Sequence, residues 1–388
     1  MNPPEPALSP QFATTLKRVE VAWRNLWIRA LTRLMRRAHA AVVPDWAARE
    51  HRILFLRHDR IGDMILSTGL LRAIAMSHRT IKLDVLASPA NAPVVRGHPH
   101  IGSVIVFDRN KPSRYLSTLR LLRRTHYDAV IDCMPTAPSL TTLLLMWASG
   151  ATHRIGVAGR GNDAALTLPV APNRDAVHIV DQLAVLATPF GADRSRTSFR
   201  PRLYLDEGER ERASATWVAE SKASGRRLLV NISVGRAFRR WPDDRYVAAI
   251  RHALARDPRL RVLVIAAPDD RQRAAEIASD ASAQFAPTPR LRDALALVAT
   301  ADFIFTPDTG IAHAASAFER PAVVMHIGGT ANQWGLYESP GQELSSSTGS
   351  LASLELRPVL AALDALLGDM SDVRSRAVAD GELGQFVR

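Results

Sequence analysis

Arg52-Ile53-Leu54-Phe55-Leu56-Arg57-His58-Asp59-Arg60-Ile61-Gly62-Asp63-Met64-Ile65-Leu66 is the stretch that decides the fold. Ile53 to Leu56 is uninterrupted apolar chain, as a strand buried on both faces requires, and Arg57 to Asp63 is a polar turn. Met64, Leu66, Leu70, Leu71 and Ile74 then recur at helical spacing, so the segment reads as one βα unit. Outward from it, Leu83 to Leu86, Val104 to Phe107 and Ala129 to Ile131 are further strand candidates with helix-like stretches between them. Strands alternating with helices imply a parallel sheet covered on both faces.

The pattern restarts in the second half. Leu228 to Ile232, Val262 to Ile265, Ile304-Phe305 and Ala322 to Met325 read as strands, Tyr246 to Ala255 as a helix, and Leu356 to Leu367 as a C-terminal helical piece. The expected organisation is a start and basic helix over 1–50, a first Rossmann-like domain over 51–190, a polar, Arg-rich linker over 191–203, a second Rossmann-like domain over 204–345, and a helix and tail over 346–388. Ligands of such sheets bind at the C-terminal strand ends, and two sheets facing each other leave a cleft.

At 388 residues the chain exceeds one ordinary core, and 47% hydrophobic with 23% charged residues is globular composition. Fifty Lys and Arg against 38 Asp and Glu leave a net charge of +12, which favours anionic partners without choosing among them. Cys133 is the single cysteine, which excludes an internal disulfide and a Cys-rich metal site and points to a reducing compartment. Neither a signal peptide nor a transmembrane run is expected, since the apolar stretch from Leu140 to Ala148 is too short to span a bilayer. A cytoplasmic location follows as an expectation.

Residues 1–12 are proline-rich and read as disordered. From Thr14 to Ala40 a helix is expected, with Val19, Trp23, Trp27, Ala30 and Leu34 on an apolar face and Arg18, Asn25, Arg29, Thr32, Arg33 and Arg36 opposite. Two readings are open: the tryptophan face enters the interface of an anionic membrane, or it packs on the protein and the arginines are solvated.

Three loops at strand ends carry candidate chemistry. In Phe305-Thr306-Pro307-Asp308-Thr309-Gly310-Ile311-Ala312-His313, Asp308, Thr309 and Gly310 fall at a helix start, where unpaired N–H groups hold anions, and His313 lies one turn inside. The same residues read alternatively as a plain helix cap with a packed histidine. Arg236, Arg239 and Arg240 precede Trp241-Pro242 in a loop with charge enough for a diphosphate. Asp63 is the acid best placed to take a proton, although a helix N-terminus should keep it acidic. No Walker-type, D-x-D or H-E-x-x-H sequence occurs, so neither a P-loop nor a metal site is expected.

The first loop, with Tyr127-Asp128-Ala129-Val130-Ile131-Asp132, Arg154-Ile155-Gly156, His178-Ile179-Val180-Asp181, Arg239-Arg240-Trp241-Pro242, Asp308 to Ala315, Gly328-Gly329-Thr330 and Trp334-Gly335, resembles glycosyltransferase family 9, the heptosyltransferases of lipopolysaccharide core assembly. The resemblance covers about residues 52–340 and implies a GT-B fold: two Rossmann-like domains facing across a cleft, acceptor on the first and sugar nucleotide on the second. It implies inverting, metal-independent transfer of a heptose from an ADP donor to a lipid-linked saccharide at the inner face of the cytoplasmic membrane of a Gram-negative bacterium, with no cofactor and no nucleic-acid partner. Carried over, Asp63 is the general base, Arg57, Arg60 and Gly62 lie on the acceptor side, and Arg239, Arg240, Asp308, Thr309, Gly310 and His313 hold the donor. The chain departs from the family pattern at His58-Asp59-Arg60, at Arg239 in place of a lysine, and at Gly329 in place of a proline. Alternatives are a transferase using another nucleotide sugar for O-chain or capsule, or a catalytically silent membrane-surface protein.

Overall fold

The computed structural model describes residues 23, 26–35, 42–134, 139–161, 163–218 and 225–379. In the first half β1 (His51–Arg57), α1 (Ile61–Ser77), β2 (Ile81–Ala87), β3 (Val104–Val106), α2 (Tyr115–Thr125), β4 (Ala129–Asp132), α3 (Leu140–Ala148), β5 (His153–Val157), β6 (Leu168–Val170) and α4 (Ile179–Ala184) follow in turn. After 191–206, which holds no helix or strand, come α5 (Glu207–Val218), β7 (Arg227–Asn231), α6 (Asp243–Arg256), β8 (Arg261–Ile265), α7 (Arg271–Asp280), β9 (Gln284–Phe285), α8 (Leu291–Thr300), β10 (Phe303–Pro307), α9 (Gly310–Ala317), β11 (Ala322–Ile327), α10 (Ala331–Trp334), β12 (Gly341–Ser346) and α11 (Leu356–Ala379).

The strands form two parallel six-stranded sheets, ordered β3-β2-β1-β4-β5-β6 and β12-β11-β10-β7-β8-β9. Ile53 pairs with Leu83 on one side and Ala129 on the other, and Phe305 is flanked by Val323 and Val230. In each sheet the strand order reverses at the centre, between β1 and β4 and between β10 and β7, and such reversals open the crevice in which α/β folds bind ligands. The loops after β1, β7 and β10 are therefore placed by topology at the functional edge.

Continuous apolar strands are needed because both faces are covered. Leu54, Leu56, Leu86 and Val130 pack with Leu122, Leu143 and Met146 on one face of the first sheet. Ile53, Phe55, Val85 and Ile131 pack with α1 on the other, in a core that runs on through Ala312, Ala315, Leu295 and Val298 into the second half. Each fully buried Leu or Ile in it contributes about 1.5–3 kcal/mol. Leu228, Val230 and Phe305 face α6, α7 and α11 in a separate core.

Four strands, β5, β6, β9 and β12, were not expected from the sequence. β5 carries His153 and Arg154, β6 is three residues around Pro169, β9 is two residues, and β12 is a mostly exposed polar edge strand, so none shows the apolar run that marks the central strands. The C-terminal helix runs to Ala379 rather than Leu367, passing through Gly368.

Of the expected Thr14 to Ala40 helix, residue 23 and residues 26–35 are helical, and the rest of that stretch, like residues 1–12 and 380–388, lies outside the described residues. Its packing corrects the expected face. Thr32 and Met35 are buried and Ile28 and Leu31 partly so against the first sheet's outer layer, with the Thr32 hydroxyl donating to the Ile28 carbonyl at 2.6 Å. Trp23, Leu26, Trp27 and Leu34 are all more than half exposed. Thr32, expected on the solvated side, turns inward because its hydroxyl is satisfied by the Ile28 carbonyl. Among the described residues no helix is long and apolar enough to cross a membrane.

Candidate active site

The three loops enclose a cleft of about 590 Å³ lined by Arg60, Ile61, Gly62 and Asp63 from the first half, and by Gly235, Arg236, Phe238, Arg239, Asp308, Thr309, Gly310, His313, Thr330 and Trp334 from the second. The halves touch at its floor. A Cβ on Gly62 would stand 2.6 Å from His313 Cδ2, and one on Gly310 would stand 3.1 Å from Ile61 Cγ2. Glycine on both sides is what permits this approach.

Asp63 sits in the first turn of α1 and is only 8% exposed. Helix position alone predicted an acidic carboxyl, and the structure corrects that: burial, reinforced by Asp59, raises it above its ordinary value against the pull of Arg57, His313 and Arg60. Arg57 does not line the cleft. It is wholly buried behind Asp63, with Nε donating to the Asp63 carbonyl at 3.1 Å, Nη2 3.5 Å from the Asp63 carboxylate, and Nη1 donating to the Cys133 carbonyl. Its expected place among acceptor contacts gives way to a supporting one, because its guanidinium is taken up by the Asp63 and Cys133 carbonyls and the Asp63 carboxylate. Asn91 donates to the Arg57 carbonyl at 3.1 Å and fixes the turn from the side.

On the opposite wall, Thr309 is the N-cap of α9, its hydroxyl accepting from the Ile311 N–H at 3.3 Å and from Asn231 Nδ2 at 3.2 Å. The cap reading and the anion reading are compatible, since the Thr309 hydroxyl takes up only one of the N–H groups that open the helix, that of Ile311. Asp308 does not cap. Its carboxylate takes a bond from Arg239 Nη1 at 3.2 Å, and Arg239 is 35% exposed toward the cleft. Arg240 departs from expectation: it is absent from the lining and donates to Asp270 at 2.9 Å. His313 lines the floor, and burial lowers its pKa although Asp308 and Asp63 oppose this, which favours the neutral ring.

The cleft thus brings together Asp63, Arg60, Gly62, Arg239, Asp308, Thr309, Gly310 and His313. Phe238, 45% exposed in the arginine loop, has no counterpart among the expected site residues, and Trp334 is expected only as part of the family resemblance; both are in the lining. A large aromatic left exposed between arginines was the available signal for the first. Among the described residues no group of three or more His, Cys, Asp or Glu side chains is arranged to hold a metal ion.

The arrangement can ionise a hydroxyl on one wall and hold an anionic leaving group on the other. The family profile Glycosyltransferase family 9 (heptosyltransferase) matches residues 115–355. Among curated relatives, lipopolysaccharide heptosyltransferase 2 of Salmonella typhimurium is 22% identical over 292 residues, 71% of this chain and 82% of that protein. The lipooligosaccharide heptosyltransferase 2 of Haemophilus influenzae is 23% identical over 299 residues, 73% and 84%. Of solved structures, a family 9 glycosyl transferase from Veillonella parvula superposes with a TM-score of 0.72 at 17% identity, covering 82% of this chain and 97% of that one. The Escherichia coli ADP-heptose heptosyltransferase II gives 0.67 at 21%, covering 82% and 99%, and fixes the two-sheet arrangement as the GT-B fold. With the profile matching residues 115–355, more than half of the chain, this chain belongs to glycosyltransferase family 9 and is a glycosyltransferase.

Proposed function

We propose that the chain transfers a heptose from ADP-L-glycero-D-manno-heptose to a lipid-linked lipopolysaccharide core saccharide, in a single inverting step that uses no metal ion. The observation that carries this is the pairing, across one cleft, of a buried carboxyl of raised pKa with an arginine and a helix N-terminus. Asp63 takes the proton of the acceptor hydroxyl. The new oxygen–carbon bond forms on one face of the anomeric carbon as the bond to the diphosphate breaks on the other. ADP departs with the electron pair, its charge met by Arg239 and by the free N–H groups that open α9. His313, neutral and between the two, donates a hydrogen bond to the sugar or the diphosphate. Relatives named as lipopolysaccharide and lipooligosaccharide heptosyltransferases, and an Escherichia coli heptosyltransferase solved with ADP, support the sugar and the nucleotide.

The acceptor's lipid places the reaction at a membrane, on the inner face of the cytoplasmic membrane in this reading. The outward stripe of Trp23, Leu26, Trp27 and Leu34, with exposed Arg29 and Arg33 beside it, supports docking on an anionic bilayer. Leu116, Leu121, Arg120, Arg123 and Arg124 are exposed on α2, whose inner side packs into the same outer layer. A panel of ADP-heptose, UDP-sugars and GDP-sugars measured for binding to the purified chain tests the donor. Tight binding of ADP-heptose alone is expected; preference for a UDP- or GDP-sugar replaces this reading with transfer of another sugar to an O-chain or capsule acceptor.

A further inference from the structure

His178-Ile179-Val180-Asp181 and Trp334-Gly335, two stretches that the reaction as described does not use, meet across the boundary between the halves. His178 precedes α4, and its Nδ1 accepts from the Val180 N–H at 3.2 Å, so Nε2 carries the ring proton. Nε2 donates to the Gly335 carbonyl of the second half at 3.2 Å. One turn on, the Asp181 carboxylate accepts from the Tyr337 hydroxyl at 2.6 Å. Arg194, in the segment joining the halves, donates to the same hydroxyl at 2.7 Å and pairs with Asp181. The His178 and Tyr337 rings pack with centroids 4.8 Å apart, and Tyr337 is buried.

These contacts bear on a weakly anchored part of the donor wall. From Gly328 to Trp334 the chain makes a tight turn and then the four-residue α10, no residue of which is fully buried, yet Thr330 and Trp334 line the cleft. The first end of this lip is continuous with β11. Its other end, Gly335 to Tyr337, is pinned within its own half by the Leu336 N–H donating to Glu343 at 2.6 Å and the Tyr337 N–H donating to Ser316 of α9 at 3.1 Å. His178, Asp181 and Arg194 add ties from outside that half.

We infer that His178 and Asp181 are positioning residues: through the Gly335 carbonyl and the Tyr337 hydroxyl, the first half holds the Thr330–Trp334 lip where it meets the donor. What the lip meets rests on the donor reading above; the tie itself does not. With the tie cut, the lip is in place only part of the time, and donor affinity falls by that fraction. Saturating donor draws the lip back, so the chemical step, which belongs to Asp63 and Arg239, is left as it was.

Tyr337→Phe removes the hydroxyl alone, since Phe fills the same space and Asp181 keeps its pair with Arg194. Hydrogen exchange of the ligand-free variant, followed by mass spectrometry, should be faster over 328–337 and unchanged in the first sheet. Steady-state transfer with ADP-heptose and a lipid-linked acceptor should show donor KM raised roughly tenfold, the scale of one hydrogen bond to a charged group, with kcat within about twofold of wild type. His178→Gln and His178→Ala both remove the cap on α4, but only the glutamine amide can still donate to the Gly335 carbonyl. The glutamine variant should therefore keep donor KM near wild type, and the alanine variant should raise it as Tyr337→Phe does. A merely structural role would lower kcat and melting temperature by reducing the active protein and would leave KM alone; that pattern overturns the inference. Unchanged exchange over 328–337 overturns it too, as does faster exchange there with donor KM unmoved. Should the wild type turn over no ADP-heptose, the donor reading fails and takes the lip's role in donor binding with it, while the exchange result still tells whether the first half holds the lip.

Discussion

Gly62→Ala probes the contact on which the cleft is built. The added Cβ would lie 2.6 Å from His313 Cδ2 and 3.1 Å from Nε2, whereas carbon atoms settle at about 3.5–4.0 Å, so roughly 1 Å of separation must open. His313 is 6% exposed and its helix is buried from Ile311 to Ala317, so either the ring is pushed out of its packed position toward the cleft or the walls part. Overpacking of this kind costs about 1–3 kcal/mol, and Ala in place of Gly within a helix returns about 0.5–1 kcal/mol, for a net loss near 1 kcal/mol. Transfer suffers more, because a displacement of about 1 Å between base and donor costs on the order of a hundredfold. Denaturant unfolding and steady-state turnover should therefore separate: a small stability change beside a large loss of kcat. Removing the ring with His313→Ala relieves the clash, and in that background Gly62→Ala should cost no stability, a coupling of about 1–3 kcal/mol across the domain boundary. Turnover within twofold of wild type in Gly62→Ala, or a stability penalty that persists without the His313 ring, would refute the packing argument.

Three further outcomes follow from particular contacts. Asp59→Asn removes a negative charge that raises Asp63 and leaves Arg57, 3.4 Å from Asp59, freer to pull Asp63 down, so the acidic limb of the pH–rate profile should move to lower pH; an unmoved or raised limb contradicts Asp63 as the titrating base. Arg292, on α8, bonds Glu209 of α5 through Nε at 2.6 Å and the Arg96 carbonyl of the first half at 2.9 Å, so Arg292→Ala should lose about 3–5 kcal/mol in thermal unfolding. The Arg292 bond holds Glu209 below its ordinary pKa, so this contribution is present above the unfolded carboxyl's range, is lost as pH falls through the folded value, and should be missing from the variant's acid limb. Trp23→Ser with Trp27→Ser should weaken binding to phosphatidylglycerol vesicles about tenfold or more in co-sedimentation, and equal sedimentation would leave that stripe without a membrane role.

The central strands and the loops that follow them were legible because burial on two faces writes itself as apolar runs such as Ile53 to Leu56, and because β1 to Asp63 and β10 to His313 each pass through a polar turn into a helix. Three of the four edge strands, β6, β9 and β12, were not legible, nor was β5 beside β6: β12 is Gly341-Gln342-Glu343-Leu344-Ser345-Ser346, whose pairing is imposed by β11 beside it rather than by its own pattern. Within the site, residue type and loop position located Asp63, Arg239 and Asp308. They did not give direction: Arg57 turns inward and Arg240 away, and both outcomes depend on partners, Cys133 and Asp270, far off in sequence. The raised pKa of Asp63 was hidden for the same reason, since the helix start is local and the burial is tertiary. The N-terminal segment shows the limit of periodicity most clearly. It has two apolar stripes, and the one richer in tryptophan is the one left outside.

Asp63 is the residue on which the proposed transfer turns. Purified chain, ADP-heptose and a lipid-linked inner-core acceptor, with product followed by mass spectrometry, should give acceptor heavier by one heptose with wild type. Asp63→Asn should give none at matched protein concentration while still binding ADP-heptose with wild-type affinity. Wild-type turnover in that variant would contradict the assignment of Asp63 as the base, and with it the facing-wall mechanism.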